Sequence, residues 1–452
     1  MSFKINQKWL VYLSTFLFLS SIFFVLNEEN RSHFVSIFLP YTLAFASYFF
    51  LVIRSKNIST NEFIGLTCFT FIIGIISTPH LSTDYFRFLW DGELFWKRVN
   101  PFDFTPNEII HSKHFISTNY LKELHAGMGE LSQTNYSCYT PFNQYFFIVS
   151  TWFSDSIYVN TTILKILIAI FQLTGLMYLF QLLKLINTPV NKAFLLFLNP
   201  LFIIESIGNV HFEGVMISFL IVAFYYLLKV KIFPAGMVLS LAIQIKLIPL
   251  LLLPFLWRFI GWKKAVITYS IIGIGFLVVS MFLLNSSNIS HFTHSIRLYF
   301  ELFQFNSSFL FVLLQLDPLH YYYHKIGHYS FILSVTTFIM VLYLAFWKKI
   351  TLPKELFSKM TIAYFIYLLS CTTLHPWYIL PAIFLSVFTN YTFLILWSFT
   401  VFLSYSFYSN GNVATTNWLL GIEYIPVLLL FVYEMVKGGL FQKYNVNFEK
   451  QI

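Results

Sequence analysis

Residues 9–26 read WLVYLSTFLFLSSIFFVL, without a charge or a proline, and Asn27-Glu28-Glu29-Asn30 follows at once. An α-helix needs about 20 such residues to cross a hydrocarbon core roughly 30 Å thick. No small-residue cleavage site follows the run, so it is expected to stay as a first membrane helix. The same texture extends along the chain. Of its 452 residues, 58% are hydrophobic and 10% charged, against about 25% charged in a soluble domain. The 28 Lys and Arg and the 19 Asp and Glu are bunched between apolar stretches of about 15–25 residues, long enough to span. A soluble globule, a disordered chain and a secreted disulfide scaffold are excluded. The net charge of +9 does not signal nucleic acid, because the bases sit at the ends of apolar segments, where topology signals belong. Cys68, Cys138 and Cys371 are far apart and form no metal or redox spacing, which makes them packing residues.

Charge sidedness threads the chain through the bilayer. With Lys4 and Lys8 in the cytoplasm, the first helix exits into Glu28-Glu29, residues 34–53 return to Arg54 and Lys56, and residues 63–77 leave again. Residues 80–141 then form a large extracytoplasmic loop, of a length that usually carries function. Residues 163–183 return to Lys184 and Lys192, 193–207 leave, and 215–228 return to Lys229 and Lys231. Residues 234–257 are interrupted by Lys246-Leu247-Ile248-Pro249. A hairpin of two half-helices keeps Arg258, Lys263 and Lys264 inside, and such breaks are tolerated only when shielded by protein or facing a wet cavity. This hairpin is expected to hold Lys246 away from the outer site. Residues 266–284 exit, 329–347 return, and four further segments, including the short 360–373 and 377–388, end near Lys437. The expectation is an all-α polytopic bundle of about 12 transmembrane helices, one domain over residues 1–452, in the plasma membrane with both termini cytoplasmic. No repeat divides it into matching halves, unlike many secondary transporters.

The few charged groups gather on one expected side. Asp84, Arg87, Asp91, Glu93, Lys97 and Arg98 follow the third helix, and Glu205, Asn209, His211 and Glu213 mark another outer edge. His291, His294, Arg297 and Glu301 form a third cluster, and His375-Pro376-Trp377-Tyr378 a fourth. Ionisable groups at a membrane edge are costly and usually serve a purpose. In Ser82-Thr83-Asp84-Tyr85-Phe86-Arg87-Phe88-Leu89-Trp90-Asp91-Gly92, the carboxylates and Arg87 are three and four apart, one face of a helix. Ser82 or Thr83 can cap it, and Asp84 falls in the first turn, where the dipole favours its ionised form. Spacing alone fits equally a capped interfacial helix with an ion pair.

The run Asp84-x-x-Arg87-Phe88-x-Trp90-Asp91-Gly92, followed by Asn100-Pro101-Phe102, resembles the first-loop signature of GT-C glycosyltransferases, and more narrowly the bacterial polyprenyl-phosphate-mannose-dependent mannosyltransferases. The likeness continues in order through Tyr139-Thr140-Pro141-Phe142-Asn143-Gln144, Asn199-Pro200 with Glu205, and Gly208-Asn209-Val210-His211-Phe212-Glu213. It ends with Lys246-Leu247-Ile248-Pro249 and His375-Pro376-Trp377-Tyr378, about three-quarters of the chain in all. Two positions depart from the family: Val210 stands where Gly is frequent, and Val99 where Gly often precedes Asn-Pro.

The resemblance implies a GT-C fold and transfer of a hexose, mannose by analogy, from a polyprenyl-phosphate donor. The acceptor is a glycan or lipid hydroxyl at the extracytoplasmic face, and transfer inverts the sugar carbon. Such transfer needs a base for the acceptor proton and cations for the departing phosphate. Asp84 takes the place of the family's first-loop Asp and is expected as the base. Arg87 either pairs with it or holds phosphate, and Asp91 either binds sugar or belongs to a helix-face ion pair. His211 and Glu213 are candidates for the sugar pocket, Arg297 for the phosphate, and His375 and Tyr378 for the lipid-phosphate end. The partners expected are the donor, the acceptor and membrane lipids. No cofactor is expected, the lipid-linked sugar phosphate being a substrate, and His320, His324 and His328, with no carboxylate or Cys beside them, are not expected to hold zinc. The rival classes are a transporter of sugar, lipid or ion, a GT-C enzyme for another sugar, and an inert scaffold.

Overall fold

The computed structural model describes residues 7–438 except 114, 116, 302, 318–321 and 410–416. The described chain is helical throughout. Its strand-like pairing is an isolated bridge between Phe305 and Thr373. Six described helices are long and apolar enough to cross a membrane: Lys8–Leu26, Phe34–Ile53, Ile157–Leu185, Trp262–Ser280, Ile326–Phe346 and Trp418–Gly438. The bent pair Val190–Phe197 and Pro200–Gly208 makes a seventh if taken as one span, and shorter apolar helices such as Thr60–Ile76 and Glu213–Leu228 lie among them. The protein is an all-α polytopic membrane protein.

Between membrane helices apolar burial has little to gain, so association relies on close packing and on polar groups finding each other. Phenylalanine and tyrosine supply much of the packing. Tyr41 stacks on Phe402 with centroids 3.7 Å apart, and Phe63 on Phe194 at 4.0 Å. Lys165, fully buried in Ile157–Leu185, donates from Nζ to the carbonyls of Gly74 (2.8 Å) and Ser77 (2.5 Å). It thereby satisfies the free end of Thr60–Ile76, where a cation complements the helix dipole.

Two breaks shape the functional end. The residues expected to form one exit, 193–207, are instead bent by 60° at Asn199-Pro200. Asn199 Oδ1 accepts the Leu201 amide at 3.0 Å and Pro200 takes the first helical position, so a new helix starts there. It runs straight into the wider π-turn Ile204–Gly208, a distortion frequent at functional sites.

The second break is the expected hairpin. Its rising limb, Ile232–Ile245, lies along Trp262–Ser280, with Gly236 against Ile271 and Ser240 against Gly275. The returning limb covers the earlier part of the same helix, where Tyr269 donates to the Leu253 carbonyl at 2.5 Å. Lys246, with extended backbone, stands at the tip. The tip is fastened by Asn143, whose Nδ2 donates to the Ile245 carbonyl at 2.8 Å, and by Thr140, which donates to the Gln244 carbonyl.

The segment expected to form the outer loop, residues 80–141, is folded onto the bundle. It contains Asp84–Trp96, Pro106–Ile110, Asn119–Gly127 and Glu130–Thr134. Trp96 donates to the Ile148 carbonyl at 3.1 Å, and Asn160 donates to the Tyr120 hydroxyl at 2.7 Å. Gly92 is what allows Asp84–Trp96 to lie flat on Pro141–Ser150: a Cβ there would fall 2.3 Å from the Phe147 carbonyl oxygen.

Candidate active site

A cavity of about 710 Å³ opens where the outer loop, the hairpin tip and Pro376–Ile379 meet. Asp84 begins its helix on one wall. Thr83 occupies the cap position without a side-chain bond, while Ser82 Oγ accepts the Asp84 amide at 3.2 Å. The Asp84 carboxylate is about one-third exposed, at 36%, and it sits at a helix N-terminus that favours its charge.

Opposite it are Lys246, His375, Trp377 and Tyr378. The expectation for Lys246 is therefore corrected. The hairpin exists, but Thr140 and Asn143 draw its tip to the loop that begins with Asp84, so Lys246 lines the same cavity as Asp84. Its ammonium lies 3.1 Å from Glu213 Oε1, which is fully buried. A second cation, Arg31, enters from the turn after the first helix, its guanidinium 4.3 Å above the Tyr408 ring. Sequence reasoning passed over Arg31 because it belongs to no motif; its position beside the acidic turn was the available signal.

His375 lines the cavity but is not a cation. Burial above all, with His211 and the Lys246 ammonium as neighbours, pushes its pKa down to about 3, leaving a neutral ring able to hydrogen-bond. Cys138, also on the wall, is held as a thiol because burial pushes it up to about 11.

His211 and Glu213 stand directly behind the wall. His211 Nε2 is 3.9 Å from Asp84 Oδ2, and its ring stacks on Trp377 at 3.6 Å. Val210, at φ +65°, explains the departure from the family: a left-handed position normally excludes β-branched residues and suits glycine. Here the strained residue is fully buried between Asn209 and His211. Asn209 Oδ1 accepts the Leu81 amide at 3.3 Å, so this turn and the start of the Asp84 segment are held together.

Arg87, Asp91 and Arg297 are not brought into the cavity wall. Arg87 Nε donates to Asp91 Oδ1 at 2.7 Å, and its Nη1 donates to the carbonyls of Ser132 and Asn135, both at 2.8 Å. Asp91 Oδ2 accepts from Ser137 at 2.5 Å and from Gln144 at 3.1 Å. Both side chains are consumed in fixing the loop that forms the cavity's near edge. Arg297 follows Ile296, a lining residue, on Ile289–Glu301. On the same helix His291 stacks on Tyr136 at 4.0 Å and bonds the Phe102 carbonyl at 3.0 Å. Among the described residues no three His, Cys, Asp or Glu side chains are grouped as a metal ion would need. His320 lies outside the described residues, as do the side chain of His324 and that of Glu301.

The remaining wall is membrane-like. Leu247, Ile248 and Leu251 descend from the hairpin, facing Phe338 and the hydroxyls of Ser330, Ser334 and Thr337 on Tyr322–Phe346. Seven residues of helix separate Ser330 from Thr337, so the cavity follows that helix for roughly 10 Å.

One carboxylate and two cations lining one chamber that is mostly apolar suit group transfer between an amphiphilic donor and a hydroxyl. The family comparison agrees: the model for alpha-(1->6)-mannopyranosyltransferase, N-terminal domain, of the MptA_B family, matches residues 22–261. The chain belongs to this mannosyltransferase family. No curated protein and no solved structure matches it. The matched span includes Arg31, Asp84, His211, Glu213 and Lys246, while His375, Trp377 and Tyr378 reach the cavity from outside it. The mannosyltransferase is thus an enzyme of the class its first-loop signature resembles.

Proposed function

We propose that this mannosyltransferase moves mannose from a polyprenyl-phosphate donor to an acceptor hydroxyl at the extracytoplasmic face, with Asp84 as general base. The observation that carries this reading is that Asp84 and Lys246 line one cavity together with the apolar Leu247, Ile248, Leu251 and Phe338. The donors around Asp91, from Arg87, Ser137 and Gln144, leave it no room for a substrate, whereas Asp84 lines the cavity with its carboxylate partly exposed. A donor with a lipid tail places its isoprenoid against Ile248, Leu251 and Phe338, and its phosphate near Lys246 and Arg31. As the anomeric carbon–oxygen bond breaks, charge grows on that phosphate, and fixed cations stabilise it where water is scarce. Asp84 takes the acceptor proton as the new bond forms. An alpha product formed with inversion requires a beta-linked donor.

Sidedness follows from charge. The cavity end carries Glu28, Glu29 and Asp84. The far end gathers Lys359, which donates to the Lys348 carbonyl at 3.1 Å, with Arg258 close by, and Lys192 bonded to the Thr389 carbonyl. Basic residues mark the cytoplasmic side, and this supports reading the cavity as facing out, with the N-terminus inside.

The test is transfer itself. Purified protein in lipid nanodiscs, given radiolabelled polyprenyl-phosphate mannose and octyl α-mannoside, is expected to yield a labelled disaccharide glycolipid. Asp84→Asn is expected to lose it by a factor of about 10² to 10⁴ while melting like the parent. Undiminished transfer by that variant would sink the reading.

A further inference from the structure

Behind Asp84 lies a chain of groups that the transfer step above does not use. Glu205, fully buried in the π-turn, accepts from the Tyr405 hydroxyl at 2.6 Å through Oε1. Through Oε2 it meets Asn209 Nδ2 at 3.3 Å and His211 Nδ1 at 3.1 Å. A carboxylate only accepts, so His211 Nδ1 turns its hydrogen to Glu205 and Nε2 is the ring atom left facing Asp84. That atom is buried and has no hydrogen-bond partner. It points toward Asp84 Oδ2 at 3.9 Å, about an ångström beyond a hydrogen bond. A buried polar atom without a partner is expensive and asks for an explanation.

We infer that His211 is a positioning and proton-accepting residue for Asp84, with Glu205 as its orienting anion, an inference that rests on Asp84 being the base. As the acceptor oxygen bonds the anomeric carbon, the old carbon–oxygen bond breaks and its electron pair leaves with the lipid phosphate. The acceptor proton goes to Asp84, and from Asp84 Oδ2 it passes to His211 Nε2. The resulting imidazolium sits between the Glu205 carboxylate and the face of Trp377, both of which favour a cation. Asp84 is returned to its ionised form, and the proton leaves to water from the opened cavity. The arrangement has the logic of a carboxylate–imidazole pair in which the outer acid fixes the tautomer and steadies the charge. Here the pair serves a carboxylate.

The titratable groups facing His211 come from every element around it. They are Asp84 on its helix, Glu205 and Tyr405 on the buried side, Glu213 with Lys246 along the chain and the hairpin tip, and His375 beyond Trp377. The acid limb of the rate profile belongs to the Asp84–His211 pair. Removing the Glu205 charge weakens the imidazolium, so this limb moves to lower pH while the plateau falls.

The experiment compares His211→Gln and Glu205→Gln with the parent and with Asp84→Asn, in nanodiscs, using polyprenyl-phosphate mannose and octyl α-mannoside across pH 5–9. Expected for both Gln variants is a fall in kcat of about 10- to 100-fold, with KM for either substrate within about twofold. The acid limb of the rate profile should move to lower pH in both, because each variant removes support for a proton held between Asp84 and His211. Should His211→Gln not fold, Glu205→Gln decides, since an amide keeps the size of Glu205. A parental kcat and pH profile in the folded variant, or a loss confined to KM, overturns the inference. An inert Asp84→Asn beside a parental His211→Gln would leave the base in place and remove the relay alone.

Discussion

Asp84 and Asp91 lie two turns apart on one helix, and each has a cation within reach, yet they end in opposite circumstances. Asp91 is fully buried and its oxygens are taken by Arg87, Ser137 and Gln144. Asp84 lines the cavity with its carboxylate partly open. A carboxylate with both oxygens engaged by buried donors holds structure together. One with capacity to spare can do chemistry. Removing charge at the two positions should therefore fail in different ways. Asp91→Asn leaves the Arg87 guanidinium buried without its counter-ion, a loss of about 3–5 kcal/mol, read as poor recovery of monodisperse protein and a lowered melting temperature. Asp84→Asn should melt with the parent. Equal melting of both variants would erase the distinction.

A similar contrast can be drawn within the cavity. Lys246 serves both ends, since it neutralises buried Glu213 and faces the donor. Lys246→Met alone strands the Glu213 charge, so a stability loss is expected with it. The double variant Lys246→Met/Glu213→Gln should recover the melting temperature but keep a kcat/KM for the donor about 10- to 100-fold below the parent. That range matches the loss of one hydrogen bond to a charged group, about 1.5–3 kcal/mol. Recovery of activity along with stability would make Lys246 a structural residue only.

The membrane class and the helix starting at Asp84 were legible in the sequence, because uninterrupted apolar runs and a capped acidic first turn are local signals. Of the residues the ordered motifs single out, Asp84, His375 and Tyr378 line one cavity. Lys246 was misplaced because the height of the hairpin tip is set by Thr140 and Asn143, about a hundred residues away, and no local pattern encodes that bond. Arg87 and Asp91 looked like substrate ligands for a related reason: helical spacing aligns side chains, but it does not say which ones a later segment, here Ser132–Ser137, will cover. The bend at Asn199-Pro200 did carry a signal, an Asn cap followed by Pro, which outweighs apolar continuity.

The structural end of the helix can be probed without touching charge. Gly92→Ala puts a methyl group against the Phe147 carbonyl, where the backbone of Pro141–Ser150 leaves no space. Overpacking of this kind costs about 1–3 kcal/mol. The expected result is a lower melting temperature with KM for both substrates unchanged, because the strain falls two turns from Asp84. A KM shift without a melting shift would mean that the two ends of the helix are not independent.

The smallest expected effect concerns acid. His375 is neutral in the fold because its pKa is lowered to about 3, whereas in an unfolded chain it titrates near 6.5. Below that value the unfolded state binds a proton that the folded state refuses, so stability is full above about pH 6.5 and drains as pH falls toward 3. His375→Gln removes this term while keeping a hydrogen-bonding side chain beside Trp377. Melting temperatures between pH 7 and 4 should then fall less steeply in the variant than in the parent. Parallel curves would mean that the ring is charged in the fold, and His375 would join Lys246 and Arg31 among the cavity's cations.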